Sequence, residues 1–427
     1  VVSPPASFHK PLLPHRPAAS SPASIPGPRE DSTPSTSASR PSALAAFRTG
    51  VASSPSKQAA QREAVPETPG NPAPASRHGR GVALALFGVG LLNKALFQSL
   101  LEENGCCLLY VVEDQLEEAE CTFGTEFLAG TRVLRWQDAD VALSDQRVSG
   151  AIISSPPEEA SEMVIAALRA GKGVFCERLP SWDKQTAEAC FNEADRCGRP
   201  LVCGFYKRFD PALQFLYKKV CDNQALGRIH RISSISSVYP SVSLSFLKSS
   251  GGILYDAAVH DIDVVSWLLG ESAPDMIFSL GHAFCADMAS LKDADTIAVS
   301  MKFPSGAIVT LDVSQHCTRS CDHRLEVRGS QGTLRVDSRN PVGITEHGTS
   351  ASICSQPHTD CYRDAHRELF RHFLRTLQGK EPPVITKEQF LWTIQVAAAA
   401  EQSWRTGFAV DLRSRVVESS VIKTEVL

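Results

Sequence analysis

Residues 251–270 read GGILYDAAVHDIDVVSWLLG and gather Asp256, His260, Asp261 and Asp263 into a short stretch. Asp256 and His260 are four positions apart, and on a helix positions i and i+4 share a face, so both side chains point into one space. An imidazole near a carboxylate keeps a pKa near neutrality and can take a proton from a substrate hydroxyl. In isolation the same acids would also suit the first turn of a surface helix. Other segments of the chain weigh for the chemistry.

The first is Phe87-Gly88-Val89-Gly90-Leu91-Leu92-Asn93, which follows the apolar run VALAL and precedes the helical spacing of KALFQSLLEE. It is a G-x-G-x-x-G pattern with Asn93 at the third glycine. The first two glycines permit a tight turn and close approach of a pyrophosphate, which a helix N-terminus attracts. A bare G-x-G also serves as an ordinary strand–helix turn. The context adds Glu113, which ends a second apolar run, CCLLYVVED, about 25 residues beyond Gly88. An acid there accepts hydrogen bonds from a ribose 2′-hydroxyl and repels the 2′-phosphate of NADP. The cofactor expected is NAD.

These groups need a frame. From Val82, apolar strand-like runs (VALALFGVG, CCLLYVVED, SGAIISSPP, GVFCE, PLVCGF) alternate with helical stretches (KALFQSLLEE, SEMVIAALRAGK, DKQTAEACFNEADRCG), the pattern of parallel β-α-β units. After Tyr206 the texture changes: RIHRISSISSV, TIAVSMKFP, AIVTLDVSQ and RLEVRGSQGTLRV alternate with a period near two. They predict an open, mainly antiparallel sheet with one face covered. Helices over 256–269, 363–378 and 387–405 would supply the cover. The fold class is α/β: a Rossmann-type parallel sheet over 80–205, then an α+β domain over 206–414. Residues 1–79 are rich in Pro, Ser and Ala, without apolar periodicity, and predict a disordered tail; 415–427 form a second tail. The excess of Arg and Lys in the first tail leaves a mitochondrial transit peptide open, and its prolines favour a tail without a targeting role. The first residue is Val, so the chain reads as a fragment or processed form.

The totals exclude several classes. A formal net charge of −4 over 427 residues lacks the basic surface of a nucleic-acid binder. No run of about eighteen apolar residues is present, so no membrane span is expected. Thirteen scattered cysteines without a C-x-x-C pair read as reduced thiols of a cytoplasmic protein rather than a disulfide framework. His316, Cys317, Cys321 and His323 have the wrong spacing for a zinc module, and no metal is expected.

Further stretches complete a family pattern. Ala170-Gly171-Lys172-Gly173-Val174-Phe175-Cys176-Glu177-Arg178-Leu179 is similar to A-G-K-H-V-F-C-E-K-P; Gly204-Phe205-Tyr206-Lys207-Arg208-Phe209-Asp210-Pro211 is similar to G-F-M-R-R-F-D-P. The 251–263 stretch is similar to G-G-x-L-x-D-x-x-x-H-D-x-D, and Arg324–Gly332 to a further strand–turn signature. In this order the chain resembles the Gfo/Idh/MocA oxidoreductases, and within them the inositol 2-dehydrogenase group, from about Gly81 to Leu412.

The resemblance implies NAD held by Gly88, Val89, Gly90, Leu91, Leu92, Glu113, Ser155, Pro156 and Glu177, and a polyol or sugar against the second domain. His260 matches the histidine that handles the hydroxyl proton, Asp256 the carboxylate that contacts substrate and histidine, and Tyr206 and Lys207 pocket positions. A homodimer or homotetramer is implied by sheets that pair face to face. The chain departs from the pattern where Arg178 replaces the catalytic lysine, Leu179 the proline and Ala160 a histidine. Arginine is not deprotonated in proteins, so Arg178 cannot act as a base, yet it can orient a hydroxyl or stabilise an alkoxide. The leading expectation is an NAD-dependent dehydrogenase of inositol or a related polyol or sugar. A non-catalytic NAD(H)-binding sensor or scaffold is the alternative, and an NADP-dependent dihydrodiol-type enzyme is disfavoured by Glu113.

Overall fold

The computed structural model describes residues 81–89, 94–115, 124, 130–222, 224–238, 248–315, 322–337, 344–345 and 362–413. The tails expected over 1–79 and 415–427, the candidate residues Gly90, Leu91 and Leu92, and His316, Cys317 and Cys321 lie outside the described residues.

The first half alternates strands and helices in the expected order: β1 (Val82–Phe87), α1 (Lys94–Glu102), β2 (Cys106–Val112), β3 (Arg132–Leu134), α2 (Ala139–Ser144), β4 (Val148–Ile153), α3 (Pro157–Arg169), β5 (Gly173–Cys176), α4 (Lys184–Cys197) and β6 (Leu201–Cys203). Its strands pair in parallel, in the order β3-β2-β1-β4-β5-β6. The strands are apolar along their length because both faces of the sheet are covered. On one face lie α3 and α4, with Val164 and Phe191 in a core shared with Phe87 and Ile153.

A 3₁₀ turn (Tyr206–Phe209) and α5 (Pro211–Tyr217) lead out of this sheet. There follow β7 (Ile229–Ser237), a π-helical turn (Leu254–Ala258), α6 (Val259–Leu269), β8 (Met276–His282), α7 (Ala286–Ser290), β9 (Thr296–Lys302), β10 (Ile308–Ser314), β11 (Asp322–Gly329), β12 (Gly332–Asp337), β13 (Ile344–Thr345), α8 (Arg363–Leu377), α9 (Lys387–Thr406) and β14 (Val410–Asp411). The second sheet runs β13-β12-β11-β7-β10-β9-β8-β14. Its pairs are antiparallel except β7 with β10, which is parallel. Burial alternates along β8, β9 and β10, as a half-covered sheet requires. The inward set (Ile277, Ile297, Val299, Val309, Leu311) packs against Val265 of α6 and Val396 and Ala400 of α9.

One expectation is corrected. α8 does not cover the second sheet; it returns to the first. Its stripe of Leu369, Phe370, Phe373 and Leu374 packs on Leu86, Ile152 and Phe175 beside Leu96 and Leu100 of α1. Arg363 and Arg367 pair with Glu102, and Arg371 with Glu103 (2.8 Å), fixing α8 alongside α1. Meanwhile Phe390 and Ile394 of α9 join the core of the first sheet, and its later turns join the second. The two sheets are thus stitched by elements from the end of the chain.

Candidate functional site

The carboxyl ends of β1, β4 and β5 meet at a concave edge, the usual ligand position in open α/β sheets. Gly88 turns the chain there with φ +82°, and a Cβ on it would sit 2.9 Å from the Ser154 carbonyl oxygen. Only glycine fits both constraints. Ser155 Oγ faces the same turn, buried and without a hydrogen-bond partner among the described residues. Glu113 is buried at the end of β2, where its Oε2 accepts from Val89 N at 2.9 Å and its Oε1 from Gln115 N at 3.2 Å. Pro156 and Pro157 lead into α3. A cradle that excludes a Cβ, an orphaned hydroxyl and an acid at the end of the second strand fit a dinucleotide.

Glu177 and Arg178 follow β5. Glu177 N donates to Ile153 O (3.0 Å), and its Oε2 accepts from Ser154 Oγ (2.6 Å). Gly204 lies so close that a Cβ there would be 1.9 Å from Glu177 O. Leu179, in the place where the family pattern has proline, is buried in the core of the first sheet. Arg178 instead reaches out: its Nη1 donates to Asp256 Oδ1 at 2.8 Å.

Asp256 sits in the π-helical turn that precedes α6, a local widening that often marks functional positions. Its Oδ2 accepts from Gln315 Nε2 at 2.8 Å, just after β10. Burial raises the Asp256 pKa above the ordinary carboxylate value, against the pull of Arg178 and of the Gln315 hydrogen bond. His260 is one turn further on. Its ring meets Phe205 edge-on (centroids 5.7 Å) and lies against Tyr206 at 4.8 Å.

Arg178, Asp256 and His260 line one cleft of about 420 Å³ with Glu177, Gly204 and Tyr255. A second cleft, of about 380 Å³, shares Glu177, Arg178, Gly204 and His260 with it and adds Tyr206, His366 and Leu369. Asp256 and His260 thus line the same cleft, while the carboxylate oxygens are engaged by Arg178 and Gln315.

Lys207 lines neither cleft. Its ammonium donates to Asp261 Oδ1 (2.8 Å) and Ser236 Oγ (3.0 Å), and Ser234 Oγ donates to the same carboxylate oxygen. Next to it, Arg208 grips Asp263 with two hydrogen bonds (2.8 and 2.7 Å) and Gln389 with a third at 3.2 Å. The acids that follow His260 in sequence thus clamp α6 to the turn after β6. Gln315, Tyr255 and His366 were not foreseen; each is an isolated polar residue whose neighbours come from distant parts of the chain.

Burial pushes the thiols of Cys176 and Cys203 well above their ordinary value, and that of Cys190 to about 12. The eight described cysteines are free. Among the described residues no group of His, Cys, Asp and Glu is arranged to hold a metal ion; His323 is buried with Nδ1 3.4 Å from Ser236 Oγ. No described helix is long and apolar enough to cross a membrane.

Residues 82–205 match the model of the oxidoreductase family's NAD-binding Rossmann fold, and 216–335 that of the GFO/IDH/MocA C-terminal domain. Among curated proteins, the chain is 28% identical to the myo-inositol 2-dehydrogenase of Thermotoga maritima over 305 residues, 69% of this chain and 88% of that protein. It is 25% identical to the scyllo-inositol 2-dehydrogenase (NAD(+)) of Bacillus subtilis over 342 residues, 78% and 96% of the two chains. The fold is shared with scyllo-inositol dehydrogenase from Lactobacillus casei, solved with NAD(H) and scyllo-inositol, at TM-score 0.68 and 21% identity over 78% of this chain and all of that one.

Proposed function

The chain belongs to the Gfo/Idh/MocA oxidoreductase family, and on that premise we propose that it is an NAD-dependent dehydrogenase of a cyclic polyol or sugar, in the manner of an inositol 2-dehydrogenase. The observation that carries the proposal is the convergence of Arg178, Asp256 and His260 on one cleft beside Glu177, at the edge of the NAD-binding sheet.

Each residue has a chemical part. His260 takes the proton from the substrate hydroxyl. Asp256 stabilises the imidazolium that results, its carboxylate held by donors from both sides. Arg178 keeps its charge throughout and steadies the developing alkoxide with N–H groups other than the one on Asp256. Glu113, Gly88, Ser155, Pro156 and Glu177 would hold the dinucleotide, Glu113 supplying an acceptor for a ribose hydroxyl. When bound, NAD would supply the hydride acceptor. Tyr206 bounds the imidazole, and Lys207 acts one step removed, holding Asp261 and so the start of α6.

The reading of a non-catalytic NAD(H) sensor gains no support from the relatives, which are named as dehydrogenases. The outer face of the second sheet exposes Met276, Phe278, Leu280 and Ile308, which supports pairing with a second copy into a homodimer or homotetramer. Free cysteines support a reducing compartment such as the cytoplasm. The test is NADH absorbance across a panel of inositols and aldoses. Turnover of a cyclic polyol or sugar is expected; inertness toward the whole panel, with NADH bound, overturns the proposal.

A further inference from the structure

Resting on that reading, we propose that Gln315 is a positioning residue for the acid–base pair: its carboxamide fixes the Asp256 carboxylate so that the other oxygen stays on Arg178. Gln315 is buried, and its own backbone is anchored where its N donates to Asp295 O at 2.9 Å. From there Nε2 reaches Asp256 Oδ2 at 2.8 Å, while Arg178 holds Oδ1 at 2.8 Å. One donor alone would leave the carboxylate free to turn about its Cβ–Cγ bond. Two donors on opposite oxygens, one after β5 and one after β10, fix its plane.

The orientation of the amide carries the functional reading. Gln315 Oε1 is buried with no hydrogen-bond partner among the described residues. A buried acceptor left unmade is a cost to the fold, and an apolar residue at 315 would not incur it. The site tolerates that cost to aim an N–H at one carboxylate. The charges around that carboxylate are few. Arg178 faces it from the turn after β5; Glu177 lies across the cleft; His260 follows on α6. The Asp295 carboxylate is turned elsewhere, accepting from Cys285 N and Thr296 Oγ1.

The test uses the full chain with NAD and myo-inositol, and compares wild type, Gln315→Leu and Gln315→Glu between about pH 5 and 9, where histidine titrates. Gln315→Leu is expected to lower kcat about tenfold or more while KM for NAD stays within about twofold, the signature of lost alignment. Gln315→Glu places two carboxylates side by side that share a proton at the acidic end. The protonated glutamic acid donates as glutamine does, so activity there approaches wild type and falls as pH rises. Wild-type activity is not expected to fall over the same range. Wild-type kcat and pH profile in Gln315→Leu, or a Gln315→Glu profile parallel to wild type, overturns the proposal. Melting temperature supplies a readout free of activity. The gap between Gln315→Glu and wild type should widen with pH, and a constant gap also overturns it. A wild type inert toward every polyol, with the gap widening, refutes the dehydrogenase reading and leaves Gln315 as the residue that holds Asp256.

Discussion

The clamp between Arg208 and Asp263 has the sharpest consequence for stability. Both side chains are almost fully buried, 3% and 1% exposed, and are joined by two parallel hydrogen bonds. Removing one partner strands a charge in a medium that cannot solvate it, at a cost of about 3–5 kcal/mol. For a body of this size, each kcal/mol moves the midpoint by roughly 2 °C, so Asp263→Ala should lower Tm by about 6–10 °C. Arg208→Met should cost about as much. The double variant Arg208→Met with Asp263→Leu removes both charges, and buried ion pairs replaced by apolar residues often lose little or nothing. It should recover most of the loss. Thermal and urea denaturation of wild type, Arg208→Met, Asp263→Leu and the double variant closes a double-mutant cycle. A drop below about 1 kcal/mol in Asp263→Ala, or additive losses in the double variant, would show that the pair is not the clamp described.

Three further outcomes follow from the same geometry. Glu113→Ser should weaken NAD and strengthen NADPH binding, read by fluorescence titration, because the carboxylate that opposes a 2′-phosphate is gone; unchanged preference would place the ribose elsewhere. Gly204→Ala should cut kcat by about a hundredfold, since a Cβ so close to Glu177 O must displace the turn carrying Arg178; wild-type kinetics would contradict that packing. His372 is held neutral by burial, which lowers its pKa below 6.5, against the pull of Glu381, while its Nε2 accepts from Val384 N at 3.1 Å. Below about pH 6.5 the unfolded chain takes up a proton that the fold refuses, so stability should fall with pH there and stay level above it. His372→Gln should flatten that slope in pH-dependent melting, and an unchanged slope would assign it to another group.

Much of this architecture was legible in the sequence because it rests on local pattern. Unbroken apolar strands such as VALALF announced a sheet covered on both faces, and alternation in TIAVSMK a sheet covered on one. The sharing of one cleft by Asp256 and His260 followed from helical spacing, although the turn that carries Asp256 is π-helical. What the pattern hid was pairing at long range. Nothing local distinguishes the cleft-lining Asp256 from Asp261 and Asp263, which are tied up in ion pairs; their partners, Lys207 and Arg208, lie more than fifty residues earlier. The amphipathic stripe of α8 likewise suits either sheet, and its ion pairs with Glu102 and Glu103 are visible only once α1 is placed. Gln315 had no signal at all.

The central claim is that His260 takes the substrate proton in a site where Arg178 cannot. It is tested most directly by kcat for His260→Ala against wild type, followed by NADH absorbance on the best polyol substrate with NAD saturating. A loss of about a hundredfold or more is predicted, in line with general-base catalysis, with NADH affinity unchanged. Turnover that survives in His260→Ala would contradict the account.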